Sequence, residues 1–206
     1  MAAKLKVLVL ESDQGAADVA REELTAAGHV VLRCHEPGAP AFPCNALVKN
    51  QRCPLDAADV DVALDVRARP RSVPAAQEDG VACALRHHIP VVVAGTTVLN
   101  PYDEYAVERL GRTFEVVAAC EHAAHAPLRE HTTVAARALR EVLDRRAVVA
   151  EPVVTVTRRE GTLVAEVEHA GPIDDAAKSM VSVRVTAALR EVDRHARGID
   201  VVFHEH

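Results

Sequence analysis

The chain has 206 residues, 49% of them hydrophobic and 26% charged, with a formal net charge of -6. This is enough apolar content for one large or two small globular domains, and the acidic balance argues against non-specific nucleic-acid binding, which needs excess positive charge. Aromatic residues make up only 2% and Trp is absent, which argues against a base-stacking platform and leaves Val, Ala and Leu to fill the core.

Lys6 to Leu10 is a compact apolar run ending in Glu11-Ser12-Asp13, after which the spacing turns helical through Ala16, Val19, Ala20, Leu24 and Ala27. Ser12 or Asp13 can cap that helix, and Gly28 suits its left-handed stop. Val30-Val31-Leu32 reads as a second strand. Four prolines between 37 and 54, with Gly38, then break the rhythm, leaving room for one short helix near 45–48. Val60 to Arg67 is a third strand, apolar enough to be covered on both faces, and it delivers Asp65 toward the carboxyl edge where parallel sheets place their ligands. A helix from about Ala75 to His87 and a fourth strand, Ile89 to Ala94, follow. A weaker helix is expected over Asp103 to Leu110, a fifth strand over Phe114 to Ala118, and a long helix opened by Pro127.

Residues 1–148 therefore read as an α/β domain with a five-stranded, doubly wound parallel sheet and a Cys-bearing insert at 34–56. Beyond it, Val153 to Thr157 and Leu163 to His169 alternate around Glu160-Gly161 as a hairpin. Asp174 can cap a helix to about Ala196, and Ile199 to Phe203 is a last strand. This ββαβ module, 149–206, leaves apolar surface to cover, so a homo-oligomer is expected. No apolar run approaches the ~20 residues that span a bilayer, and the start carries no cleavable signal pattern. No membrane association and a cytoplasmic location are expected.

The strand into Glu11-Ser12-Asp13, the helix ending Ala26-Ala27-Gly28-His29, the strand into Asp65 and the Ile89-Pro90-Val91-Val92-Val93 strand together resemble the receiver (CheY-like) domain of bacterial response regulators. The resemblance covers roughly residues 4 to 146. It implies a phosphoacceptor role for Asp65, an acidic pocket of Glu11 and Asp13 that holds Mg²⁺, and a switch hydroxyl near Thr96. An aspartyl phosphate adds about -1.5 to -2 charges, so it calls for a hard cation and a fixed positive charge nearby. The chain departs from the family in two places. Gly95 stands where the family has Thr or Ser, with Thr96 one residue late. None of the four Lys, at 4, 6, 49 and 178, follows the expected fifth strand. The resemblance is thus to a degenerate receiver. The ββαβ module resembles the small domain of the alkaline-shock-protein family in layout and Val-rich patterning, which implies assembly.

Cys34-His35, Cys44 and Cys53 lie within the Pro-rich insert. Three thiols with a fourth ligand, His35 or another Cys, can close a zinc site or hold an iron–sulfur cluster, and a Cys-Pro pair suits haem thiolate ligation. Their spacing matches no CxxC signature, and packing of small apolar thiols or redox chemistry are the other readings. A second group, Cys120, His122, His125 and His131, reads mainly as surface residues ahead of a helix. No nucleophile elbow, phosphate-binding Gly loop or dinucleotide fingerprint is present. The expected function is non-enzymatic regulation through a protein signalling partner. The alternatives are a metal- or cofactor-binding redox sensor at the Cys loop, and a small-molecule enzyme around Glu11, Asp13, Asp65 and Thr96.

Overall fold

The computed structural model describes residues 4–36, 38–41, 44, 46, 53–57, 60–95, 100–111, 115–148 and 151–205. The chain forms two compact units, Met1–Ala126 and Pro127–His206. The division falls ahead of the long helix and not after residue 148. That helix belongs to the second unit because its apolar stripe of Ala135, Ala138, Leu139, Val142 and Leu143 lies in that unit's core.

In the first unit, β1 (Lys6–Glu11), β2 (Val30–Leu32), β3 (Val62–Arg67), β4 (Val91–Gly95) and β5 (Ala106–Leu110) form one sheet in the order β2-β1-β3-β4-β5. Every pair is parallel. The arrangement is consistent with a flavodoxin-like fold. β3 sits at its centre with all six residues buried, as expected for a strand covered on both faces. Because side chains alternate across a strand, Val62, Leu64 and Val66 enter one core with α1 (Asp18–Ala26) and α4 (Val116–His125). Ala63 enters the opposite core, which contains Leu8, Leu10 and Val93 and is covered by Val81 and Ala84 of α3 (Asp79–Arg86). A four-residue helix, α2 (Pro54–Ala57), lies in the insert. The short helix expected near 45–48 falls where only Ala46 is described.

Two elements differ from the sequence expectation. A 3-10 turn, Asp103–Tyr105, replaces the start of the expected helix, and 106–110 is the edge strand β5. Of the expected strand at Phe114 to Ala118, residues 116–118 are instead the beginning of α4, and Phe114 lies outside the described residues. Its Val-Val pair favours a strand, but the buried set Val116, Ala119, Cys120, Ala123 and Ala124 has helical spacing, and packing of that face overrides local preference. Helix α1 begins at Asp18 without a side-chain cap; the Ala17 N–H donates to Glu11 Oε2 at 3.1 Å.

The second unit contains α5 (Arg129–Arg145), β6 (Val153–Arg159), β7 (Thr162–His169), α6 (Asp175–Val192) and β8 (Gly198–Glu205). β6 and β7 are antiparallel across a two-residue turn, Glu160-Gly161, with both φ angles positive at 50° and 78°, the geometry that matches strand twist. β8 then pairs parallel with β7. Asp174 caps α6, its Oδ1 accepting from the Ala177 N–H at 2.6 Å. Leu139, Val156, Leu163, Val185 and Leu189 share one core. No described helix in either unit is long and apolar enough to cross a membrane.

Candidate functional site

The first unit carries two chemical groupings, one at and beneath the carboxyl edge of the sheet and one on the insert side. At the edge, the carboxylates expected to hold a cation are each paired with arginine. Glu11 ends β1 and accepts from Arg21 Nη1 at 3.2 Å. Asp13 accepts from Arg71 Nη2 at 2.7 Å and Ser12 Oγ at 2.9 Å, and also pairs with Arg69. Hydrogen bonding from Arg69 is the main cause that holds the Asp13 carboxyl at about 2; burial opposes it, and Ser12 and Arg71 add to it. The loop is tied to β3, since the Ser12 N–H donates to Val66 O at 2.9 Å and Ser12 Oγ accepts from Ala68 N at 3.1 Å.

Asp65 stands two residues short of the end of β3, on the same face as Ala63, and is fully buried. Arg67, the last residue of that strand, points to the same side and reaches Asp65 Oδ2 at 2.8 Å, Glu78 Oε1 at 3.0 Å and the Asp103 carboxylate. Asn100 Nδ2 donates to Glu78 Oε1 at 3.2 Å. Three carboxylates thus surround one guanidinium. Burial, the largest influence, raises the Asp65 carboxyl; Arg67 pulls it back and Glu78 pushes it up again, leaving it at about 7. A carboxyl near neutrality resolves the charge excess by holding a proton part of the time. Asp65 Oδ1 is buried and has no hydrogen-bond partner among the described residues.

The switch-like Thr96 lies outside the described residues. Its neighbour Gly95 explains why the hydroxyl is displaced: its φ is +98°, and an added Cβ would stand 2.1 Å from the Arg67 carbonyl oxygen. A side chain at this place would collide with the backbone that carries Arg67. Gly95→Ser, which would restore the hydroxyl of the receiver pattern, is expected to destabilise the first unit by roughly 2–4 kcal/mol, combining the cost of left-handed backbone with overpacking. Urea unfolding of the variant checks this. The fifth strand ends at Leu110 and not within 114–118, and the residues that follow it in the sequence, 111–114, include Arg112 and no Lys; residues 112–114 lie outside the described residues.

On the insert side, a cavity of about 390 Å³ is lined by Cys34, Cys44, Cys53 and Cys83, with His35 and Arg86 also in its wall. The structure brings together the three insert cysteines and adds Cys83, from the middle of α3. All four are free thiols and partly buried. Gly80 lets α3 come close, since a Cβ there would meet Leu10 Cδ2 at 2.6 Å and Cys34 Sγ at 3.2 Å. Burial, followed by the neighbouring Cys53, Cys44 and Cys83, pushes the Cys34 thiol up to about 12. His35 has a buried Nδ1 without a hydrogen-bond partner among the described residues. A second cavity, about 260 Å³, shares Cys34 and His35 and extends to Glu11 and Arg21.

The second group of the sequence reading separates. Cys120 lies on the buried face of α4, and burial pushes its thiol up to about 12. His122 pairs with Glu108, and His125 Nδ1 lies 2.7 Å from Glu121 O. His131 belongs to the second unit, with Nε2 at 3.6 Å from Asp193. Sequence reasoning missed Arg67, Glu78 and Cys83. Arg67 carried a faint signal as a cation at the end of a run otherwise fit for complete burial. Compared with protein-family models and with curated proteins, the chain gives no match.

Proposed function

We propose that the chain is a non-enzymatic regulatory protein: a pseudo-receiver whose output is carried by the second unit through self-association or a protein signalling partner. The observation that carries this reading is the buried Arg67 on Asp65. A phosphoacceptor must present its carboxylate to a phosphodonor beside a hydrated divalent cation. Here a guanidinium occupies the carboxylate, and arginines also neutralise Glu11 and Asp13. The fixed cations do what a metal ion does in a working receiver, but they are covalently part of the chain and do not leave. The carboxylates at the sheet edge are therefore already compensated by the chain's own cations, and signals enter elsewhere.

The test is incubation of the full chain with acetyl phosphate and Mg²⁺, followed by a phosphate-affinity gel and sedimentation velocity. The expected result is no retarded band and an unchanged association state. A retarded band that disappears in Asp65→Ala would overturn the reading.

A further inference from the structure

Four of the five cysteines line a single cavity although they come from separate parts of the chain: Cys34 just after β2, Cys44 in the insert, Cys53 ahead of α2 and Cys83 within α3. The fifth, Cys120, is packed in the core on the opposite face of the sheet. Packing accounts for Cys34, which lies against the core of Leu8, Leu10 and Val81, but gives no reason for thiols from three further segments to gather around the same volume.

The separation of the sulfurs argues against a single bound ion. A Zn–S bond of ~2.3 Å places tetrahedral ligands about 3.8 Å apart. Among the described residues, no three of these sulfurs lie within 4.8 Å of one another. A single ion would require the walls to collapse onto it. A polynuclear cluster is several atoms wide, and its four thiolates stand correspondingly further apart around it. The cavity of about 390 Å³ leaves room for such a group. Arg33 and Arg86 in the wall offset the negative charge of a four-thiolate centre, against Glu36 and Asp79.

We infer that Cys34, Cys44, Cys53 and Cys83 are the four ligands of an iron–sulfur cluster bound between the insert and α3. His35 lines the same cavity without serving as a ligand. Binding takes up ferrous and ferric iron with sulfide, so that the mixed-valence cluster forms without removal of an electron, and releases the four thiol protons. The inference is independent of the charge state of the sheet edge and of the proposed regulatory role.

The test uses the full chain, anaerobically reconstituted with ferrous and ferric iron and sulfide, with iron, zinc and acid-labile sulfide measured alongside the visible spectrum. The expected result is a coloured protein with iron and sulfide in equal amounts. Cys83→Ser, still folded by circular dichroism, should lose at least about tenfold in bound iron and sulfide, since loss of an outer-shell partner alone costs a metal site that much. Cys120→Ser and His35→Ala should retain the cluster. A colourless protein after reconstitution, a protein that takes up one zinc and no sulfide-linked iron, or a cluster lost in His35→Ala but kept in Cys83→Ser would each overturn the inference. Should Cys83→Ser not fold, Cys44→Ser gives the same reading from the insert.

Discussion

Arg67→Met is expected to cost the first unit about 3–5 kcal/mol, the usual penalty for removing one member of a buried ion cluster. Methionine fills much of the volume but leaves Asp65 and Glu78, both fully buried, without their cation. The loss is a large part of the 5–15 kcal/mol that holds an ordinary domain together. Asp65→Asn, by contrast, is expected to change stability by less than about 1 kcal/mol at neutral pH, because it removes one of three carboxylates competing for one guanidinium and keeps the shape of the protonated acid. The pH dependence separates the two further. The folded Asp65 carboxyl, raised to about 7 by burial first and then by the balance of Arg67 and Glu78, favours the fold in its neutral form. That contribution is complete below the ordinary carboxylate value of about 3.9 and is lost as pH rises through about 7. The wild-type first unit should therefore weaken between pH 4 and 7, and Asp65→Asn should flatten that slope. Hydrogen exchange of first-unit amides across the range reads both variants, since a two-unit chain need not unfold in one step. An Arg67→Met protein as stable as wild type would remove the cluster from any structural role.

Asp193→Ala is the corresponding expectation for the second unit, again about 3–5 kcal/mol. Asp193 is fully buried at the end of α6 and pairs with the buried Arg158. Its Oδ1 accepts from the backbone N–H groups of His195 at 2.9 Å and Ala196 at 3.0 Å, closing the turn into β8. The substitution thus strands a guanidinium and opens two backbone donors at once. Burial alone would raise this carboxyl, but hydrogen bonding with His131 and the charge of Arg158 outweigh it and hold it well below the usual carboxylate range. The sign is opposite to that of Asp65. Stability from Asp193 is present above about pH 3.9 and is lost as the medium becomes more acidic. Wild type and Asp193→Ala should differ most at neutral pH and converge toward pH 2 in urea unfolding of the second unit. A gap that stays constant down to pH 2 would mean the aspartate acts only through packing.

The parts of the fold legible in the sequence are those in which one local signal decides. β1, β3 and β4 announce themselves as short apolar runs, and the Glu160-Gly161 hairpin and the Asp174 cap by turn and cap chemistry. β5 and α4 were exchanged because β-branched Val116-Val117 and the mixed run from Asp103 to Leu110 send local signals opposite to what burial imposes. The long helix names its apolar stripe in the sequence, but not which core receives it. At the site, Glu11, Asp13 and the insert cysteines could be named from type and position. Arg67 could not, because its importance comes from Glu78 and Asp103 arriving beside it from later segments. Cys83 was hidden for a similar reason: on an amphipathic helix it looks like packing, and only the approach of Gly80 to Leu10 and Cys34 brings it to the cavity.

The strand connections also set how the two units assemble in time. In the second, β6 and β7 meet across two residues, from Arg159 paired with Thr162 onward, and a hairpin of that kind closes in about 1–10 μs. The first has no such starting point, because its nearest pairing joins Val91 to Ala106 and its central one joins Val7 to Val62. Parallel pairing over such separations means that loop entropy is spent before any contact repays it, so the sheet bearing the arginine and cysteine groupings is the slow-folding half of the chain.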